Sequence, residues 1–546
     1  MSKPLRVLHS TKPYAQHVQG ADAAGVVRLK PLNPTVRLSE LVASLSIGTD
    51  IGMGQPEGQA LRTCHLALGV AREMGLDQKQ CADVYYIALL RFVGCNSHAD
   101  QDAAGGGGDE MAMRRALAPV ISGEPQELVP HVVRHVGAGL PAGKRVRVVA
   151  GMLAAGPKQA RAVTTATCEV ARMFATQLGL GAALVRALGY QFEYWNGKGL
   201  PDGVSGEQIP IAARIVMVAR DLDVVTRVGG RQLGEAMLRR RRGRAYDPAV
   251  ADAFHRHAWS ILAGIEEESL WDQVIEADPM PSDPLDADGL NVALECCAQF
   301  ADIKCWFTRD HSPAVSNLAR RAAANLGLDA IDVETIAAAG LVQELGKTGV
   351  QNGILESQRP LTNSQWDTLR LSTFLTQRIL ARCHGLEAIN ALASSHHERL
   401  DGSGYHRGLT GDRISKAARI LAAADAFKAL TSDRPWRTRL APDAAARTLG
   451  AEVKQGKLAH DAVEAVLGVA GHGDTLRRKT WPSGLSDREI DVLRLISLGR
   501  TNREVAERLF ISPKTVGRHI ENIYAKIGVS TRPAATLFAM QHQLLS

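Results

Sequence analysis

Aromatic side chains are scarce in this chain, at 5% of its 546 residues. With few rings and abundant alanine, the core is expected to be built from close-packed helices. No apolar run reaches about 18 residues, which excludes a transmembrane helix. Met1-Ser2-Lys3-Pro4 opens no apolar signal core. The eight cysteines include no CxxC pair. That pattern implies reduced thiols and a cytoplasmic home, and Cys296-Cys297 reads as two small core residues. Charge of one sign is not strongly in excess: the net +7 permits nucleic-acid binding without arguing for it. A P-loop is lacking as well. Gly340 to Thr348 ends in Gly-Lys-Thr, but five residues separate its glycines where a P-loop has four. What remains is a 45% hydrophobic chain long enough for about three or four domains with sizeable cores.

The most legible stretch lies at the C-terminal end. Ser486-Asp487-Arg488-Glu489 and Thr501-Asn502-Arg503-Glu504 are capping boxes, in which hydroxyl and carboxylate satisfy orphan N–H groups reciprocally. Ser512-Pro513 opens a third helix with serine at the N-cap and proline at the first helical position. Val516, Ile520, Ile523 and Ile527 face inward. Lys514, Gly517, Arg518, Glu521 and Asn522 face outward, as a recognition helix in a major groove requires. The segment closely resembles the LuxR/GerE-type DNA-binding domain through Leu485-Ser486-x-Arg488-Glu489, Thr501-Asn502-x-Glu504-Val505-Ala506 and Ser512-Pro513-Lys514-Thr515-Val516-x-x-His519. The resemblance implies a DNA-facing set of Asn502, Lys514, Thr515, Gly517, Arg518, His519, Glu521, Asn522 and Lys526. It also implies a fourth helix, with Leu537, Phe538 and Met540, that pairs two heads.

The middle of the chain is duplicated. Trp195-Asn196-Gly197-Lys198-Gly199-Leu200-Pro201 matches Leu400-Asp401-Gly402-Ser403-Gly404-Tyr405-His406 at a spacing of 205 residues, from Gly197/Gly402 to Ile215/Ile420. Asp278 to Pro284, with three prolines, marks the internal boundary. Asp102 to Asp109, with four successive glycines, reads as a flexible loop. Arg239 to Arg244 reads as a solvated helix end.

In the second copy, Ser395-His396-His397-Glu398 precedes a glycine-rich turn, and Asp425 sits within an apolar helix where a buried carboxylate needs a partner. This resembles the HD-GYP family of helical metal-dependent phosphohydrolases that cleave cyclic di-GMP. The resemblance places His311, His396, His397 and Asp425 on ligand positions and Lys347 on the lysine after the His-Asp pair. That pair is here Gln343-Glu344. The histidine after the middle helix becomes Ser372, and the proline of the GYP motif becomes His406. Neutral Gln and Ser are poor metal ligands. In the first copy, Arg91-Phe92, Gln191-Phe192 and Arg220 replace the ligands.

These readings predict an all-α chain: a lead-in at 1–38, HD-GYP-like domains at 39–277 and 288–471, a linker at 472–484, and a four-helix DNA-binding domain at 485–546. The expected function is that of a LuxR-type transcriptional regulator whose degenerate HD-GYP-like domains sense a small molecule. The alternative is an active cyclic di-GMP phosphodiesterase fused to a DNA-binding domain. The losses at Gln343 and Ser372 argue for a pseudo-enzyme. The expected metal is at most one Fe or Mn ion, on His311, Glu344, His396, His397 and Asp425. Lys347, His396, His397, Ser403, Tyr405 and Arg419 are the expected ligand pocket. Expected partners are operator DNA, RNA polymerase, a small effector and a second copy of the chain, with no membrane.

Overall fold

The computed structural model describes residues 35–545 except 122–124, 139, 266–268 and 471–480. Most of the expected lead-in and linker therefore lies outside the described residues. Among the described residues there are helices and three isolated bridges but no strand. No described helix is long and apolar enough to cross a membrane.

The first helical block comprises α1 (Leu38–Gly52), α2 (Gln59–Glu73), α3 (Gln78–Leu90), α4 (Ala99–Gly105), α5 (Glu110–Leu117), α6 (Pro125–His135), α7 (Ala142–Gln177), α8 (Ala182–Ala187), α9 (Ile211–Arg241), α10 (Pro248–Ala263) and α11 (Leu270–Glu276). The second comprises α12 (Ala287–Asp302), α13 (His311–Asn325), α14 (Ala330–Val342), α15 (Asn352–Leu355), α16 (Asn363–Leu380), α17 (Glu387–Ala393), α18 (Lys416–Leu430), α19 (Pro442–Lys454) and α20 (His460–Ala470). The head comprises α21 (Asp487–Ser497), α22 (Asn502–Leu509), α23 (Pro513–Ile527) and α24 (Arg532–Gln541).

The two blocks repeat a local plan. Asp77 caps α3 and Asp329 caps α14, each carboxylate accepting the N–H three residues on. Arg91 is the C-cap of α3 and Gln343 that of α14, and a 3₁₀ turn follows each. Glu193 accepts the N–H groups of Asp202 and Gly203, as Glu398 accepts those of Arg407 and Leu409.

Small residues set the helix spacing. A Cβ on Gly340 of α14 would lie 2.8 Å from the Ser316 Cα on α13, so glycine permits that approach. Ile336, Ala337 and Ala339 complete the buried face. Full burial of Ile336 alone is worth about 1.5–3 kcal/mol. α1 lies between the blocks, with Gly48 against Phe300 and Ile379.

One expectation about a surface segment is corrected, and a second holds with one exception. Asp102 belongs to α4, and its carboxylate is held between His98 Nδ1 at 3.1 Å and Arg114 Nε at 2.8 Å. The arginine run is a solvated helix end, as expected, at Arg239, Arg240, Arg242 and Arg244, with one exception. Arg241 is only 5% exposed, with Nη1 3.0 Å from Asp221 Oδ2 and Nη2 2.9 Å from Glu127 Oε2.

Candidate metal centre and DNA-binding head

The candidate centre is assembled from four places in the second block. His311 is the first residue of α13, and Asp302 fixes that start by accepting from Ser312 N at 2.7 Å and Ser312 Oγ at 2.8 Å. Glu344 sits in the turn after α14. His396 and His397 follow α17, and Asp425 lies within α18. The structure brings these five together. His311, Glu344 and Asp425 form one group of potential ligands, and Glu344, His396 and His397 a second, with the ligand atoms of each group all within 4.8 Å of one another. Glu344 is common to both groups.

The individual contacts orient the donors. His311 Nε2 is 2.9 Å from Asp425 Oδ1 and 3.6 Å from Glu344 Oε1. His396 Nδ1 lies 2.6 Å from the Ala393 carbonyl, so it carries the proton and donates it. His396 Nε2 is buried with no hydrogen-bond partner. Gln343 is not a ligand replacement gone astray: its Nε2 donates to Asp425 Oδ1 at 3.3 Å. Ser372 is buried in α16 beside Gly346, whose Cβ would lie 1.8 Å from the Ser372 carbonyl oxygen.

Protonation states favour a cation. Burial pushes the His311 imidazole down, although Asp425 pulls the other way. Burial and then the neighbouring His396 push His397 well down. Burial opposes the charge on Asp425, but the hydrogen bond from His311 and the imidazoles around it hold the carboxyl well below its usual range. Glu344 is likewise lowered against its burial, chiefly by Lys347. Neutral imidazoles and ionised carboxylates are the forms that ligate metal.

The expected pocket residues divide. Lys347 Nζ is 2.6 Å from Glu344 Oε2, and the Tyr405 ring lies 4.7 Å from that of His397. Ser403 instead donates to Asp401 in an exposed turn, at 2.6 Å. Arg419 donates to the carbonyls of Ile414 and Gly411, bracing the loop before α18. His406 is held by Thr373 and Gln377 at 3.0 and 3.1 Å. Asp302 and Gln343 in their supporting roles had no sequence signal beyond a polar residue in an apolar helix end.

In the head, the three capping interactions at Ser486, Thr501 and Ser512 are present. Val516 and Ile523 of α23 are buried, while Lys514, Thr515, Arg518, Glu521 and Asn522 are exposed. His519 is half-buried, and a Cβ on Gly517 would meet nothing within 4 Å. Asn502 accepts from Arg532 at 3.3 Å. Lys526 is exposed, but it is paired within the head: its Nζ is 2.6 Å from Glu489 Oε2. The apolar face expected on α24 is covered by the same chain. Leu537 and Met540 join the core of the helical body, and Glu169 of α7 accepts from Ser530 N at 3.1 Å and Thr531 Oγ1 at 2.6 Å. Arg309 donates to the Ser497 carbonyl, and its guanidinium lies 3.7 Å from the Trp306 ring centre.

A helical body carrying clustered histidine and carboxylate donors, joined to a helix-turn-helix head, defines a two-part protein. Residues 157–250 and 295–459 match the HD domain family, and 483–539 match the bacterial regulatory proteins of the luxR family. The chain is thus a luxR-type DNA-binding domain fused to an HD domain, whose match spans both helical blocks. It is 27% identical to 3'3'-cGAMP-specific phosphodiesterase 3 of Vibrio cholerae over 414 residues, covering 75% of this chain and 90% of that protein. It is 33% identical over 183 residues to a cyclic di-GMP phosphodiesterase of Thermotoga maritima, of which it covers 49%. The fold resembles the crystal structure of a cyclic GMP-AMP specific phosphodiesterase of V. cholerae, with a TM-score of 0.55 at 23% identity, over 80% of this chain and 98% of that one. The head is 42% identical over 62 residues to a putative HTH-type transcriptional regulator of Mycobacterium bovis, 11% of this chain and 7% of that protein.

These findings overturn the pseudo-enzyme expectation. The relatives along the body are phosphodiesterases, and the metal-ligand types have converged on one buried site. The physical reason lies in Glu344 and Gln343. Glutamate, one methylene longer than aspartate, still joins both ligand groups, and Gln343 keeps Asp425 in place.

Proposed function

We propose that the chain is a metal-dependent phosphodiesterase that opens a cyclic dinucleotide and carries its own DNA-binding head. The observation that supports it most is the shared position of Glu344 in two groups of ligand atoms, in which burial lowers the His311 and His397 imidazoles. His311, Glu344, His396, His397 and Asp425 would hold the metal; Fe or Mn suits mixed imidazole and carboxylate donors. A divalent cation bound there supplies Lewis acidity, which acidifies water and offsets phosphate charge.

The chain's own residues do the rest. The Ala393 carbonyl accepts from His396 Nδ1 and orients the ring, which leaves Nε2 free to ligate. Lys347 brings a positive charge beside Glu344, where a phosphate oxygen could accept from it. The Tyr405 ring packs on His397 and limits water on that side. In the overall reaction, water adds to phosphorus and the P–O3′ bond breaks. The 3′ oxygen leaves with a proton, giving a linear dinucleotide with a 5′-phosphate. On the same reading, Arg518 and Glu521 meet base edges in an operator while Lys514, Thr515 and His519 meet phosphates.

The test is full-length protein supplied with Mn²⁺ or Fe²⁺ and given 3'3'-cGAMP or cyclic di-GMP. Linear product is expected from at least one, and loss of product in Asp425→Asn. Intact substrate under both metals would contradict the proposal.

A further inference from the structure

The first block repeats the plan of the candidate centre with its charge reversed. Arg91 is the C-cap of α3 as Gln343 is that of α14, and Phe92 stands where Glu344 does. By the 205-residue spacing, Gln191 and Phe192 stand for His396 and His397, and Arg220 for Asp425. At the centre of the second block the unpartnered buried atoms include His396 Nε2, Gln343 Oε1 and both Glu344 carboxylate oxygens. At the corresponding position of the first block they include three guanidinium donors, Arg91 Nε, Arg91 Nη1 and Arg220 Nε, beside one acceptor, Gln191 Oε1.

We propose that this position in the first block is an anion site, which takes a phosphate group between Arg91 and Arg220. Arg91 is only 5% exposed. Its guanidinium carbon lies 5.4 Å from the Phe92 ring centre and 4.9 Å from that of Phe192. Arg220 shares the Phe92 ring at 5.5 Å, so two cations flank one aromatic side chain. Ring faces attract a guanidinium but do not replace a counterion.

The nearest carboxylate is already engaged. Asp221 accepts from Arg220 Nη1 at 3.0 Å, Arg241 Nη1 at 3.0 Å and Tyr246 Oη at 2.8 Å. Burial and the adjacent Arg220 charge push Arg91 down to about 10, which still leaves it a cation near neutral pH. A buried cation with free N–H groups and no anion is strongly unfavourable. A phosphate supplies the missing charge and accepts several N–H groups at once, in the forked geometry guanidinium prefers. The phosphate could be free in solution or part of a nucleotide.

The experiment uses the full chain stripped of metal by chelation. Lys347→Met is introduced to silence phosphate contacts in the second block. Binding of inorganic phosphate is measured by equilibrium dialysis and by its effect on the melting temperature. One saturable site per chain is expected, with a rise in melting temperature. Arg91→Met should weaken phosphate about tenfold or more, while its melting temperature without phosphate stays level or rises. If Arg91→Met fails to fold, Arg220→Met supplies the same comparison. No saturable phosphate, or unchanged phosphate binding in both variants, would overturn the proposal. Added cyclic di-GMP distinguishes the source. Competition with phosphate identifies a nucleotide phosphate; independence identifies free phosphate. Because the chelated protein cannot turn over, failure here is separate from failure of the hydrolase reading.

Discussion

His311 Nε2 lies 2.9 Å from Asp425 Oδ1, across 114 residues of chain and between the first turn of α13 and the middle of α18. Neither group has this partner in the local sequence. Their meeting fixes the distance between two helices at the point where a cation would sit.

Metal binding should be insensitive to pH near neutrality and fall only in acid. Burial lowers the His311 and His397 imidazoles, so protons compete with metal only below the ordinary imidazole range. The sign for stability is the same: the unfolded imidazoles bind protons first, so stability drops as pH falls through their ordinary value of about 6.5. Dye-competition titrations from about pH 5 to 8 check this. Affinity halving with each small step near pH 7 would contradict it.

Gly346→Ala should be strongly destabilising. Its Cβ would lie 1.8 Å from the Ser372 carbonyl oxygen and 2.6 Å from Thr376 N, both backbone atoms. Overpacking of this kind costs about 1–3 kcal/mol or more. The turn also carries Glu344, so metal affinity should fall with stability in denaturant titrations.

How much of this was legible in the sequence differs by part. The head was readable because capping boxes are local signals, and Ser486, Thr501 and Ser512 cap as expected. The ligand types were readable from a motif. The judgement of Gln343-Glu344 was not, because residue type alone does not tell that a longer carboxylate reaches and that an amide can orient Asp425. Asp102 was hidden by the glycines after it, and its partner Arg114 lies beyond them. The docking of α24 on Glu169 joins residues 361 or more apart and left no local trace.

Glu169→Ala should loosen the head from the body. Three donors from Ser530 and Thr531 converge on this one carboxylate. Hydrogen exchange across 532–541 should speed up, while exchange in α14 stays unchanged. Equal protection of α24 in both proteins would show that Leu537 and Met540 alone hold it.

Arg518→Ala should cost about 1–3 kcal/mol on the operator and relax its sequence preference. The exposed face of α23 motivates this. Binding titrations on operator and random DNA check it; equal losses on both would reduce Arg518 to a phosphate contact.

The most direct measurement compares cyclic dinucleotide hydrolysis by the full chain and by Glu344→Gln, with metal content determined on each sample. Glu344 belongs to both ligand groups, so the variant should lose both metal and product formation, and added Mn²⁺ or Fe²⁺ should not restore the rate. Hydrolysis by Glu344→Gln at the wild-type rate, or none by the wild type with metal bound, would contradict the account.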